Sequence, residues 1–499
     1  MTEVHLATFT EVAPETAEIP TVASIYVNGS WSLSDTGRTF PVTDPATGRT
    51  LAHVADAGTE EIRSAIDAAF DCADSWAART AYERAAILAR AHQLMLERAD
   101  ELATLMTREQ GKPLRAARTE VQYAADFLSW FAEEAKRNYG RTVPSARADQ
   151  RFVVQHQPVG VVGAITPWNY PISMITRKVA PALAAGCTVV LKPAEATPLC
   201  AVEVIRILEE AGVPPGVVNM VTTADPRLVG QEFTGNDKVA KVTFTGSTTV
   251  GRHLAEGAGR ALKRISLELG GHAPFIVFDD ADPVHAAKGA AAIKMLNTGQ
   301  ACIVPNRYFV HASIAEEFIE VLTSRLARMT VGHGLQPGVA VGPLINTVAV
   351  ERMERQVDDA VNHGAKVRLG GCRLTEGELA AGNFYAPTVL SGVTPDMLIY
   401  REETFGPIAP VIVFDDDDDV IAMANDTSYG LASYIYTRDI SRMMRTAERL
   451  KFGMVGVNDI NPTSAAAPFG GVKASGLGRE GAMEGLHEYL ETRLVGISV

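Results

Sequence analysis

The chain has 499 residues, too many for one ordinary core, so two or three domains are expected. A hydrophobic fraction of 46% and a charged fraction of 21% are those of a globular protein, and a formal net charge of -13 argues against a nucleic-acid partner held by electrostatics. No apolar run reaches the ~18 residues that a membrane span needs, and neither the five cysteines nor the eleven histidines show disulfide or metal spacing, so a reduced, cytoplasmic setting without a metal site is expected.

Residues 1–24 contain several Glu and no Lys or Arg, which reads as a flexible tail rather than a secretory signal. Residues 59–78 predict an amphipathic helix with Ile62, Ile66, Phe70 and Ala73 near one face. Helices follow over 81–98 and 100–110, the second capped by Asp100 and ended by Gly111-Lys112-Pro113. From 152 short β-branched runs alternate with Ala-rich stretches. Strands are predicted over 159–166, 188–192, 217–221 and 241–245, with helices over 172–185, 199–211 and 248–258. This alternation implies crossovers and a buried parallel sheet, roughly half of one nucleotide-binding domain. A second α/β region starts at 271. It has a strand over 275–278, then Asp282 as an N-cap and Pro283 opening a helix to about residue 296. Alternation continues to about 457. The acidic run 415–419 reads as a solvated loop entering a helix N-terminus, where carboxylates are favoured. Residues 470–499 are Gly-rich, then strand-like.

A lone Cys is usually a small buried hydrophobe. Cys302, however, follows Asn297-Thr298-Gly299-Gln300-Ala301, a turn that can present a side chain and leave backbone N–H groups free in the electropositive, partly open setting a thiolate needs. Glu268 sits between Leu267 and Leu269 at a strand end, before two glycines; partial burial would raise its pKa toward that of a general base, whereas a plain salt bridge is the alternative. Asn169, after Pro167-Trp168, can donate to a developing oxyanion or simply make a turn. Lys192 and Glu195 follow a strand and suit a nucleotide ribose. The turn from Gly246 through Ser247 to Gly251 opens a helix whose N-terminus suits phosphate, though it is neither a G-x-G-x-x-G nor a Walker A loop.

Together these segments resemble the aldehyde dehydrogenase superfamily over about residues 25–495. The resemblance is carried by Thr166-Pro167-Trp168-Asn169, Lys192-Pro193-Ala194-Glu195, Phe244-Thr245-Gly246-Ser247, Glu268-Leu269-Gly270-Gly271, Gly299-Gln300-Ala301-Cys302, Glu403-Thr404-Phe405-Gly406-Pro407 and Pro468-Phe469-Gly470-Gly471. It implies an α/β fold: a Rossmann-like NAD-binding domain (25–137 and 158–270), a catalytic domain (271–467) and a β oligomerisation segment (138–157 and 485–499) pairing homodimers or homotetramers. It implies Cys302 as nucleophile, Glu268 as base, Asn169 with the Cys302 N–H as oxyanion hole, and Lys178 near that site. Thr166, Pro167, Trp168, Lys192, Glu195, Gly246, Ser247, Gly251, Glu403 and Phe405 would hold NAD, with NADP possible; Glu480 matches a second family glutamate.

Within the superfamily the chain is most similar to succinate-semialdehyde dehydrogenases. Arg177 matches an arginine that pairs there with the substrate carboxylate, and Thr463 or Ser464 matches a hydroxyl residue of that pocket. A second arginine of that group is Leu296 here, which leaves an uncharged aliphatic or aromatic aldehyde as the alternative substrate. A cysteine acyltransferase or hydrolase is the rival class; it lacks a histidine partner motif and leaves the nucleotide segments unexplained.

Overall fold

Strands Val161–Ile165 and Thr188–Lys192 are apolar at nearly every position because both of their faces are covered. Val189 and Leu191 point into one core, shared with the helices Ala81–Glu97 and Leu114–Lys136, while Val190 between them joins a separate core with Ile62 and Ile66. In the computed structural model, which describes residues 19–499, these strands lie within an eight-stranded sheet. Its order is Gly476–Leu477, Arg264–Glu268, Val239–Thr245, Val161–Ile165, Thr188–Lys192, Val218–Met220, Ile25–Val27 and Ser30–Ser32. The five strands from Arg264–Glu268 to Val218–Met220 run parallel.

A second, seven-stranded sheet runs Lys366–Leu369, Thr388–Ser391, Ile408–Phe414, Pro305–His311, Ala273–Val277, Ala432–Tyr436 and Met454–Val457. All its pairings are parallel except that of the edge strand Lys366–Leu369. The C-terminal strand Leu490–Ser498 pairs antiparallel with Gln150–Pro158 in a separate three-stranded sheet. The chain passes between the two large sheets through Gly270-Gly271. A Cβ on Gly271 would stand 2.3 Å from the Cys302 carbonyl, so glycine is what lets this crossing touch the Cys302 loop.

Several expectations need correction. Phe70 is half exposed rather than inward. The buried face of Thr59–Ala77 is Ile62, Ala65, Ile66, Ala69 and Trp76, because repeated steps of four rotate off a 3.6-residue stripe. Asp100 lies inside the helix Ala99–Gln110, whose N-cap is Arg98. The tail does not run to residue 24: Thr21–Val22 pairs with Thr50–Ala55, and Ser24 is buried and bonds Thr222 at 2.7 Å. Residues 1–18 of that expected tail lie outside the described residues. In the acidic run, Asp416 caps the helix Asp417–Asn425 by accepting from Asp418 and Asp419 N–H. Among the described residues, no helix is long and apolar enough to cross a membrane.

Candidate active site

Cys302 follows the helix Pro283–Lys294 and a short 3-10 turn, Leu296–Gly299. Within that turn Asn297 and Thr298 have φ of +49° and +57°. A left-handed β-branched residue costs on the order of 1–3 kcal/mol, so the surroundings must hold it. They do. Thr298 Oγ1 donates to Gly342 O at 3.2 Å, Gln300 Nε2 donates to Pro343 O at 3.2 Å, and Gln300 Oε1 accepts from Ile345 N at 2.9 Å.

Asn169 is brought against this loop. Its Nδ2 donates to Gln300 O at 2.9 Å, which leaves one amide hydrogen for another acceptor. Glu268 ends the strand Arg264–Glu268, is buried, and neither carboxyl oxygen has a hydrogen-bond partner. Burial, and then the charge of Glu480, hold its carboxyl well above the usual carboxylate range, against the pull of Arg177, Lys178 and Arg479. Cys302 keeps partial exposure, yet burial pushes its thiol up to about 12. Arg177 opposes that rise, while Glu268 and Glu403 add to it, so thiol and carboxyl feel each other's charge. Burial thus outweighs the pull of the Arg177 charge on this thiol.

Lys178 and Arg177 project from the helix Ser173–Ala185 onto one carboxylate. Lys178 pairs with Glu480 Oε1, and Arg177 Nη2 stands 2.8 Å from Glu480 Oε2. The Arg177 guanidinium also stacks over Phe469 at 3.9 Å. Glu480 therefore holds one edge of the guanidinium expected to meet the substrate carboxylate, and its Nε has no hydrogen-bond partner. The two hydroxyl candidates separate. Thr463 donates to Asn461 at 2.9 Å and sits against the Tyr123 hydroxyl, whose proton is held tightly by burial, against the pull of Arg177 and of Thr463 itself. Ser464 is exposed and accepts from Ala466 N, closing its own turn. Leu296 packs on the core of the seven-stranded sheet, with Phe275 and Tyr308. Tyr123 and Glu120 went unnoticed because the helix Leu114–Lys136 carries no motif; its signal would have been charged residues on a buried helical face, and Lys112, just before it, read only as part of a helix end.

The expected nucleotide residues from Thr166 to Gly251 follow the carboxyl ends of the first sheet's strands, whereas Glu403 and Phe405 lie in the turn before Ile408–Phe414 of the second sheet. Lys192 pairs with Glu195, and the Lys192 carbonyl accepts from buried Thr166 N at 3.1 Å, tying two strand ends together. Pro167 and Trp168 follow, and the Trp168 ring meets Phe405 edge-on at 5.6 Å. Ser247 caps the helix Thr248–Arg260 by accepting from Val250 N, and Gly246 N donates to Glu268 O at 3.0 Å. The first N–H groups of that helix have no intrahelical acceptor. Gly251 does not belong with them: its N–H bonds Ser247 O, and a Cβ there would strike Leu269 at 2.4 Å. Glu403 accepts from Gly271 N at 2.8 Å, and burial pushes its carboxyl up to about 7.

Comparison with known proteins gives a match to the aldehyde dehydrogenase family over residues 31–495. The chain is 50% identical to a glutarate-semialdehyde dehydrogenase of Pseudomonas putida, covering 95% of this chain and 97% of that one. It is 49% identical to an NADP(+) succinate-semialdehyde dehydrogenase of Escherichia coli, covering 95% and 97%. A crystal structure of betaine aldehyde dehydrogenase from Staphylococcus aureus in complex with NAD+ superposes with a TM-score of 0.93 at 35% identity, covering 95% of each chain.

Proposed function

The chain belongs to the aldehyde dehydrogenase family, and from that premise we propose that it oxidises a semialdehyde with a distal carboxylate, of the succinate or glutarate class, to the diacid. The observation that carries this reading is the buried Arg177 guanidinium, whose Nε and Nη2 nitrogens have no well-aligned hydrogen bond, with the Tyr123 hydroxyl nearby. Buried polar atoms are nearly always satisfied, and a carboxylate would satisfy these with charge-assisted bonds.

In this reading the partly exposed Cys302 thiol gives up its proton to solvent, its sulfur bonds the aldehyde carbon, and the carbonyl π pair moves onto the oxygen, which takes the negative charge. The free Asn169 amide hydrogen and the Cys302 N–H stabilise that oxygen. A bound nicotinamide dinucleotide supplies the hydride acceptor that leaves a thioester on Cys302. Glu268, unpartnered and proton-avid, takes a proton from water, whose oxygen displaces the sulfur and releases the acid. Lys178 steadies Glu480 behind this base.

Thr166, Pro167, Trp168, Lys192, Glu195, Gly246, Ser247, Glu403 and Phe405 would hold the dinucleotide; the donor set fits, with a cation and a carboxylate for ribose and a free helix N-terminus for phosphate. Glu195 would repel a 2′-phosphate, which favours NAD, with NADP as the second reading. Leu296 favours an uncharged aldehyde as the second substrate reading. We divide the chain into a nucleotide part (25–137 and 158–270), a catalytic part (271–467) and a pairing segment (138–157 and 485–499). The open edge of Leu490–Ser498 supports homodimers or homotetramers, and five unpaired cysteines support a cytoplasmic setting.

Stopped-flow absorbance of NADH with succinate or glutarate semialdehyde tests the division of labour. Cys302→Ala is expected to abolish the first turnover. Glu268→Gln is expected to keep a burst of one equivalent and lose about 10²–10⁴ in steady-state rate, the usual worth of a general base. A burst-free Glu268→Gln enzyme overturns the assignment.

A further inference from the structure

Lys112 is a lysine with no access to solvent, far from the predicted catalytic residues in sequence. It follows Gly111, whose φ of +92° ends the helix Ala99–Gln110. Its ammonium pairs with the buried carboxylate of Glu120, lies 4.0 Å over the Tyr170 ring, and donates to the backbone carbonyl of Asn169 at 2.8 Å. Glu120 completes the grip. Its Oε1 accepts from Ile172 N at 3.0 Å, Ser173 N at 3.2 Å and Ser173 Oγ at 3.4 Å, at the start of the helix that carries Arg177 and Lys178. From the other side Asn297, in the strained turn before Cys302, donates Nδ2 to the same Asn169 carbonyl at 2.9 Å. Both lone pairs of that oxygen are then used. One carbonyl thus joins the Asn169 segment to the Cys302 loop, and a buried ion pair locks the joint.

Desolvating a lysine and a glutamate costs several kcal/mol each, so this pair is a poor stabiliser compared with an apolar pair of the same volume. Its geometry serves another end. The Asn169 main chain is fixed by two donors and its side chain by Gln300 O, so the direction of the remaining Nδ2 hydrogen is fixed as well. We propose that Lys112 and Asn297 are positioning residues that act through Asn169, aiming its amide at the oxygen of the reacting carbonyl. This rests on the reading of Asn169 as an oxyanion donor. Both side chains are buried and directed onto the Asn169 carbonyl. Their contribution comes from orientation, where a displacement of about 1 Å costs up to about 10²-fold in rate.

The test is a double-mutant cycle on the full-length enzyme. Lys112→Met combined with Glu120→Gln removes the pair without stranding a buried charge. Asn297→Gly removes the second donor while tolerating the left-handed backbone, and is the variant expected to fold should the first not. Each is combined with Asn169→Ala. The readouts are the rate of the NADH burst, NADH affinity by fluorescence, and the thermal midpoint. Each positioning variant is expected to slow the burst about tenfold or more with NADH affinity unchanged. Asn169→Ala is expected to cost about 10²–10³ in the native background, and at least tenfold less once the positioning residues are gone, because groups acting as a unit are non-additive. An unchanged burst in the positioning variants, or an Asn169→Ala cost equal in all backgrounds, overturns the proposal. Asn169→Ala without effect in the native enzyme would instead overturn the oxyanion reading on which it rests.

Discussion

Arg177 and Glu480 face each other across 2.8 Å with both side chains buried, so any carboxylate that reaches this arginine meets a guanidinium already half neutralised. Arg177→Met is therefore expected to do two separable things. It strands part of the Glu480 charge, which lowers unfolding free energy by about 3–5 kcal/mol, the usual result of breaking a buried pair. It also removes a charge-assisted bond to substrate worth about 1.5–3 kcal/mol. In kcat/KM, succinate and glutarate semialdehyde should fall at least about tenfold further than an uncharged aldehyde of equal length. Equal losses across such a panel would leave Arg177 with its Glu480 partnership alone.

The same carboxylate governs the base. Glu480 raises the proton affinity of Glu268, and Arg177 and Lys178 lower it. Glu268 works deprotonated, so thioester hydrolysis should increase as pH rises through its elevated pKa. Glu480→Gln removes the repelling charge and frees two cations to act on Glu268; both changes lower its pKa. The acid limb of the deacylation rate should move to lower pH, by about one unit or more on loss of a neighbouring charge. A limb that stays in place, or moves up, would show that Glu480 does not set the base.

The parallel sheets were legible because their strands are buried on both sides and read as short apolar runs between helices, and the motif residues were legible because glycines and polar groups cluster at strand ends. The partnerships were not. Arg177 and Glu480 are 303 positions apart and meet only through the fold, and nothing local separates an arginine awaiting substrate from one already paired. Gly251 read as a phosphate glycine from spacing, whereas the space it leaves is filled by Leu269. Glu120 and Lys112 look like surface charges on a helix and a turn until the burial of both is known.

Cofactor choice is expected to follow the Lys192–Glu195 pair. Glu195 remains partly exposed where a ribose would lie, and its charge opposes a 2′-phosphate while occupying Lys192. Glu195→Gln removes the repulsion and leaves Lys192 free to meet the phosphate. The NADP-to-NAD ratio of kcat/KM should rise about tenfold or more, since a charge-assisted bond is worth about 1.5–3 kcal/mol. A ratio that does not move would place cofactor discrimination elsewhere.

Glu109 offers a stability prediction away from the chemistry. It is wholly buried and accepts from Leu199 N at 2.6 Å and Cys200 N at 2.9 Å at the start of the helix Pro198–Glu210. Burial outweighs those bonds and pushes its carboxyl up to about 7 from 4.5. The folded protein therefore holds a proton that the unfolded chain releases at lower pH. The associated stability is fully present below pH about 4.5 and is lost as pH rises through about 7. Glu109→Gln keeps an acceptor for the helix N–H groups and cannot ionise. Measured by denaturant unfolding, the wild type should lose roughly 3 kcal/mol relative to the variant between pH about 4.5 and about 8. Other groups titrate over that window, Glu403 among them, but they are common to both proteins and cancel in the difference. Parallel stability curves for the two proteins would mean that Glu109 stays charged in the fold, held by its two backbone donors against the cost of burial.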